Sequence, residues 1–129
     1  MASMALRPVV PLLVDVALVV VFAAIGRATH DGDVLGAGGA GLLTTAWPFV
    51  VALLLGWAVA RAWRHPLAVR RTGLPVWVVT VVVGMLLRAV SGQGVAVAFV
   101  IVATLTLGLL LVGWRFVAAL VGRRSRAAR

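Results

Sequence analysis

Long apolar stretches separated by short polar segments dominate the pattern of this chain of 129 residues. Four of the stretches are close to the ~20 residues that a helix, rising about 1.5 Å per residue, needs to cross about 30 Å of hydrocarbon. They are continuous in Val, Leu and Ala, without the alternation of a membrane β-strand. The pattern therefore predicts four transmembrane helices, at about residues 9–28, 42–60, 74–89 and 95–118.

The first stretch has an alternative interpretation as a cleaved signal peptide, because Arg7 precedes it and small residues such as Ala23 and Ala28 follow. Two observations favour a retained helix. Asp15 lies inside the stretch, and the stretch has about twenty apolar positions where a signal core has about 7–15.

Consecutive stretches are joined by short segments, so neighbouring helices must run antiparallel. The sequence therefore predicts an all-α membrane protein whose single domain, residues 1–129, is an up-down-up-down bundle of four transmembrane helices. Small residues spaced by four predict faces where helices approach closely. These pairs are Ala52 with Gly56, Thr80 with Gly84, and Thr104 with Gly108.

The composition supports a membrane protein and excludes several other classes. Hydrophobic residues make up 64% of the chain and charged residues 12%, whereas soluble domains carry about 25% charged residues. A soluble fold of this size could not bury so much apolar surface. The chain has no cysteine, which excludes a disulfide scaffold and a thiolate metal site.

Arginine is distributed unevenly between the two predicted membrane faces. Two arginines, Arg27 and Arg88, lie near helix ends on one side, and nine lie on the other: Arg7, Arg61, Arg64, Arg70, Arg71, Arg123, Arg124, Arg126 and Arg129. Because positive segments stay in the cytoplasm, we expect both termini, the middle loop and the basic tail at 119–129 to be cytoplasmic. The net charge of +9 then indicates contact with lipid phosphates, not with nucleic acid.

The tryptophans fall near the predicted membrane boundaries. Trp57, Trp63, Trp77 and Trp114 lie near the cytoplasmic boundary and Trp47 near the other. This placement is typical of the aromatic belts at headgroup level.

Asp15 is the most informative residue, because a carboxylate within a span costs at least about 2.5 kcal/mol on insertion scales. It lies six residues past the start of the first stretch, about 9 Å inside by helix rise. Arg115, near the cytoplasmic end of the antiparallel fourth stretch, is predicted at a similar depth. Three interpretations stay open: a structural ion pair of the two residues, a site where the carboxylate couples to a proton or cation, or a carboxylate that simply faces water at the inner leaflet.

A second polar cluster is predicted near the opposite face, where helices one and three end and helix four begins: Arg27, His30, Arg88 and Gln93. In one interpretation the arginines extend outward and pair with Asp31, Asp33 or lipid phosphate. In the other, the cluster forms a shallow vestibule suited to an anion.

Motifs for catalysis or for metal binding do not appear in the sequence. His30 and His65 fall on opposite sides of the predicted membrane and cannot share a metal. The glycine-rich run at 36–41 lacks the following Lys-Ser/Thr of a phosphate-binding loop, which favours a flexible connector. We therefore expect no enzymatic activity, catalytic residue, metal or cofactor.

Several short motifs occur together in this chain: Asp15, Gly26-Arg27-Ala28-Thr29-His30, Pro48-Phe49, Gly84, Leu87-Arg88 and Gly113-Trp114-Arg115. In this combination the chain resembles a family of small four-helix bacterial membrane proteins, common in actinobacteria and catalogued as a domain of unknown function. The resemblance covers roughly residues 8 to 117. It implies a membrane protein and implies no established activity. We expect the protein in the plasma membrane of a bacterium.

Two functions stay open at this level. The first is a non-enzymatic structural or accessory protein that packs against itself or another membrane protein. The second is a small oligomeric transporter or channel, with Asp15 coupling to a proton or cation and Arg27 and Arg88 contacting an anion. Membrane lipids are predicted partners in both cases.

Overall fold

The computed structural model of the protein describes residues 8–30 and 35–127. Within these residues there are helices and turns but no strands. Four helices are long and apolar enough to cross a membrane. They are α1 (Val9–His30), α2 (Ala40–Ala60), α3 (Leu74–Val90) and α4 (Val97–Ala127). The prediction of an all-α fold with four membrane-length helices is confirmed.

The third span is longer than predicted. A π-helical turn, Val69–Gly73, leads directly into α3, so the apolar segment runs over Val69–Val90. Its first turn carries Arg70 and Arg71, which interrupt the hydrophobic pattern and made residue 74 look like the start. Arginine is a good helix former and its long side chain can extend beyond the hydrocarbon, so the helical backbone continues through both residues.

The fourth helix is also longer than predicted. It has 31 residues, which corresponds to about 46 Å of rise. Its apolar span is predicted to end at residue 118, but the helix continues without a break through residues 119–127 of the basic segment. Ala, Leu and Arg are strong helix formers and no proline intervenes, so the loss of hydrophobicity does not end the helix.

Each helix packs against two others, α1 on α2, α2 on α3, α3 on α4 and α4 on α1, with the most extensive contact between α2 and α3. Three phenylalanine rings fill the interior between α1, α2 and α4. Phe22 meets Phe49 edge to face at 5.2 Å between ring centroids, and Phe99 lies 6.2 Å and 6.1 Å from them. These separations are typical of stabilising aromatic pairs.

Glycines on three helices lie where a neighbouring helix comes closest. A Cβ on Gly56 would lie 3.3 Å from the backbone of Val76, so α2 and α3 approach backbone to backbone. A Cβ on Gly84 would lie 2.5 Å from the ring of Phe49. Gly108 of α4 similarly receives a tryptophan ring from α3. All three glycines belong to the predicted small-residue pairs, and each leaves space for the backbone or ring of a neighbouring helix to approach closely.

The glycine-rich segment before α2, whose composition predicts a flexible connector, forms a hydrogen-bonded turn. Gly36 accepts backbone hydrogen bonds from both Gly39 and Gly41 at 3.0 Å. Gly38 and Gly39 have φ of 73° and 105°, in the left-handed region that side chains disfavour. Glycine is therefore needed here for the path of the backbone.

Candidate functional site

Asp15 of α1 and Arg115 of α4 form a buried ion pair. Both side chains are 0% exposed. The two terminal guanidinium nitrogens donate to the two carboxylate oxygens, Nη1 to Oδ1 at 2.9 Å and Nη2 to Oδ2 at 2.6 Å. This parallel, two-bond geometry is the strong form of an arginine–carboxylate pair. The structure thus brings together the two residues that helix rise placed at the same depth.

Two tryptophans complete the shell around the Asp15 carboxylate. The indole nitrogen of Trp57, on α2, donates to Oδ2 at 2.8 Å, and that of Trp114, on α4, donates to Oδ1 at 2.8 Å. Each oxygen therefore accepts two hydrogen bonds, which matches its two lone-pair sites. A charge away from water is tolerated when it is paired and its hydrogen bonds are satisfied, and Asp15 meets both conditions.

Arg115 also holds the segment that joins α2 to α3. Its Nε donates to the backbone oxygen of Pro66 at 2.8 Å, and its Nη1 donates to the oxygen of Leu111 at 2.9 Å. Gly73 makes room for this side chain, because a Cβ there would lie 3.3 Å from the Cδ of Arg115. One guanidinium thus links α1, α4 and the connecting segment.

A small polar network fixes the same connecting segment. The hydroxyl of Thr72, fully buried, donates to the backbone oxygen of His65 at 2.6 Å. The Nδ1 of His65 lies 2.7 Å from that hydroxyl. Because the hydroxyl has only one hydrogen, Nδ1 is the donor of the second bond. This assignment leaves Nε2 as the ring nitrogen free of the network.

Arg88 and Gln93, predicted in one cluster, are in direct contact near the other end of the bundle. Arg88 donates from Nη1 to the Gln93 side-chain oxygen at 3.1 Å and from Nε to the oxygen of Gly94 at 3.2 Å. Its guanidinium carbon also lies 4.1 Å from the centre of the Phe99 ring, within the range of a cation–π interaction. Arg88 therefore holds the turn between α3 and α4.

Gln93 also reaches across to α2. Its Nε2 donates to the backbone oxygen of Thr44 at 2.9 Å. That oxygen would ordinarily accept from residue 48, but Pro48 lies inside α2 and has no N–H. The side chain of Gln93 takes the place of the missing donor. This role of Gln93 toward Pro48 was not among the predictions from the sequence.

Arg27 of α1 is enclosed by the glycine-rich turn. Its Nη1 donates to the backbone oxygen of Gly41 at 3.3 Å. A Cβ on Gly41 would lie 2.6 Å from Nη2, and one on Gly36 would also meet this nitrogen. Arg27 and Arg88 thus both contact backbone oxygens, Arg27 in the first turn of α2 and Arg88 in the turn between α3 and α4. The side chain of His30, together with Asp31 and Asp33, lies outside the described residues.

The tryptophan partners of Asp15 are the part of the site that sequence reasoning missed. Their positions fitted an interfacial belt, and nothing local distinguished Trp57, 42 residues away in the chain, as a partner. Trp114 adjoins Arg115 in the sequence, which was an available signal. Trp77 is also used internally, with its indole donating to the backbone oxygen of Thr104 at 2.9 Å. Within the described residues, no group of three His, Cys, Asp or Glu side chains could hold a metal.

The four helices and the intramembrane ion pair define a helical, multi-pass membrane protein. The chain belongs to the family described as Protein of unknown function (DUF3054), whose pattern matches residues 12–118. Asp15 and Arg115 both lie inside the matched segment, as do Arg88 and Gln93. The resemblance to a family of unknown function is therefore confirmed. Comparison with curated proteins found no match, and comparison with solved structures also found none.

Proposed function

We propose that this protein has a non-enzymatic, structural or accessory role: a rigid membrane unit that packs against a second copy or another membrane protein. The observation that supports this proposal is that the hydrogen-bonding capacity of the Asp15 carboxylate is completely filled. Each of its oxygens accepts two hydrogen bonds. Neither oxygen has a lone-pair site left for a proton or a cation, whereas a coupling carboxylate must exchange its partners during transport.

Arg27 and Arg88, near the predicted membrane boundary opposite the ion pair, support the same structural role. Arg88 is bound by Gln93 and Gly94, and Arg27 donates to Gly41. These contacts favour a structural use of the arginines over a vestibule for an anion. The alternative is a small oligomeric transporter or channel. To pass a solute, it would have to break both the hydrogen bonds of Asp15 and those of the two arginines.

We further propose that the bundle lies in the plasma membrane of a bacterium, with its helices alternating in direction and both termini in the cytoplasm. The nine-to-two arginine distribution over the two predicted faces supports this orientation. Lipids and a membrane partner, but no nucleic acid, metal or cofactor, belong to the proposal.

Flux measurements test the choice between the two functions. The full chain, reconstituted in liposomes under an imposed pH gradient, should give no proton flux above protein-free liposomes. Asp15→Asn and, as a second variant with an intact carboxylate, Arg88→Gln should give the same trace. A flux in the parent protein that disappears in Asp15→Asn, with both proteins monodisperse in detergent, would establish the transporter instead.

Cysteine chemistry tests the orientation and the partner, because the chain has no cysteine of its own. Ser91→Cys should react with a membrane-impermeant maleimide in intact cells, and Leu67→Cys should react only after lysis. Leu105, on α4, is 67% exposed and faces away from the other helices. Cross-linking from Leu105→Cys in native membranes should give an adduct whose added mass is 13.4 kDa for a second copy and a different mass for another protein.

A further inference from the structure

A cleft of about 720 Å³ opens between the start of α1 and the segment that joins α2 to α3. Pro8 and Pro11 form one wall, and residues 63–68 form the other. Pro11 lies one turn before Asp15, and the backbone oxygen of Pro66 accepts from Arg115. The cleft therefore lies beside the ion pair, at the arginine-rich end of the bundle.

The cleft offers a guanidinium, an imidazole nitrogen and no acidic group. Arg64 is exposed, and its side chain makes no hydrogen bond or ion pair with any residue that the structure describes. His65 lines the cleft and donates from Nδ1 to Thr72, so in the neutral ring Nε2 carries a lone pair and can accept a hydrogen bond from a ligand hydroxyl. No Asp or Glu is among the lining residues. An arginine without a competing carboxylate suits a phosphate group, and the imidazole acceptor beside it suits a hydroxyl.

Apolar surface lies beside this arginine and histidine. Trp63 is 50% exposed and Leu67 is 49% exposed, and both line the cleft. An indole at headgroup depth next to an exposed leucine suits the glycerol and first methylenes of a lipid. A free phosphate ion would gain nothing from this apolar surface. The mixture therefore favours a lipid over a soluble anion.

We infer that the cleft binds the headgroup of an anionic phospholipid, with Arg64 on the phosphodiester, with the Nε2 of His65 accepting from a headgroup hydroxyl, and with Trp63 and Leu67 against the lipid's apolar part. The bound lipid would contact the segment that presents Pro66 to Arg115. Its binding should therefore also stabilise the folded protein in proportion to occupancy. This site is independent of the proposed structural or accessory role, since a transporter could carry it equally well.

Lipid titration of the full chain in neutral detergent tests the inference. Phosphatidylglycerol and phosphatidylcholine are added separately, and bound lipid is counted by native mass spectrometry while the thermal midpoint is recorded. Phosphatidylglycerol should bind at one site and raise the midpoint, and phosphatidylcholine should do neither. Arg64→Gln should weaken the affinity about tenfold, as expected for loss of a charge-assisted hydrogen bond.

Two further variants separate the cleft from general surface charge. Arg70→Gln removes the same charge from an exposed arginine of the same segment that does not line the cleft, and it should change the affinity less than about twofold. Ala68→Trp fills the cleft without changing any charge, and it should abolish the single bound lipid. Equal losses in Arg64→Gln and Arg70→Gln, or full binding by Ala68→Trp, would overturn the inference.

The source of the phosphate is tested in the same experiment. Inorganic phosphate at millimolar concentration should neither displace phosphatidylglycerol nor raise the thermal midpoint. Displacement by phosphate would assign the cleft to a soluble anion and reject the lipid. Equal binding of the two phospholipids would reject recognition of an anionic headgroup.

Discussion

The side-chain amide of Gln93 donates to the backbone oxygen of Thr44 at 2.9 Å, the oxygen that Pro48 leaves without its helical donor. A turn between α3 and α4 thus completes the hydrogen bonding of α2. The same Gln93 accepts from Arg88. Removal of the amide would leave both a backbone oxygen and a guanidinium short of a partner.

Gln93 and Pro48 should therefore be thermodynamically coupled. Gln93→Ala should lower the free energy of unfolding by about 1–3 kcal/mol, because Thr44 is left without a donor. In the Pro48→Ala background the restored backbone N–H satisfies Thr44, so the further cost of Gln93→Ala should fall below about 1 kcal/mol. A double-mutant cycle from detergent-based unfolding curves measures the difference. Equal costs in the two backgrounds would contradict the coupling.

The buried ion pair should be intolerant of the loss of one partner. Asp15→Asn keeps the size of the side chain but leaves the Arg115 charge uncompensated, and it should cost about 3–5 kcal/mol of unfolding free energy. The double variant Asp15→Asn with Arg115→Met leaves no unpaired charge and should cost less than the sum of the single changes. Unfolding in mixed micelles, followed by circular dichroism, gives all three values. Strict additivity would show that the pair is not coupled.

The two indole donors to Asp15 should matter more than the exposed tryptophan at the other boundary. Trp57→Phe and Trp114→Phe each remove one hydrogen bond to a charged carboxylate, which should cost about 1.5–3 kcal/mol. Trp47, 40% exposed, makes no hydrogen bond from its indole to the residues described, so Trp47→Phe should stay within about 0.5 kcal/mol of the parent. Unfolding curves in detergent give the three costs. Similar costs at all three positions would indicate loss of ring packing instead.

Gly84 should be irreplaceable because of Phe49. The ring of Phe49, 0% exposed, occupies the space that a Cβ on Gly84 would need. Gly84→Ala should therefore cost about 1–3 kcal/mol by overpacking, and Phe49→Leu should recover part of this loss. Gly122 has nothing within 4 Å of a Cβ, so Gly122→Ala is the control and should be neutral or stabilising. Thermal midpoints in detergent rank the variants.

Sequence analysis located the residues whose energetic cost in a membrane can be judged from the neighbouring sequence alone. A carboxylate inside an apolar stretch requires a partner wherever it occurs, and helix rise gives its depth, so Asp15 and Arg115 could be paired from their positions along the chain. The four spans follow from the same local property. Their ends were less predictable at residues 69–73 and 119–127, because helix formation continues through arginine after hydrophobicity has stopped.

The missed contacts depend on side-chain direction and on backbone groups. Trp57 points inward to Asp15 and not toward the headgroups, which its position in the sequence does not determine. The fit of Arg27 into the glycine-rich turn depends on φ angles of the turn. Likewise, the missing donor at Thr44 follows from Pro48 alone, but its replacement by Gln93 depends on the packing of α2 against the α3–α4 turn.

The ion pair joins residues 100 positions apart in the chain, and this separation sets an order of events during biosynthesis. At the usual rate of about 5–20 residues per second, the ribosome completes α1 at least about 4 s before it incorporates Arg115. Asp15 must spend that interval without its cation. Trp57, only 42 residues away, is translated much earlier and can offer the nascent carboxylate its first donor. The bundle therefore reaches its final state only when the last helix enters the bilayer.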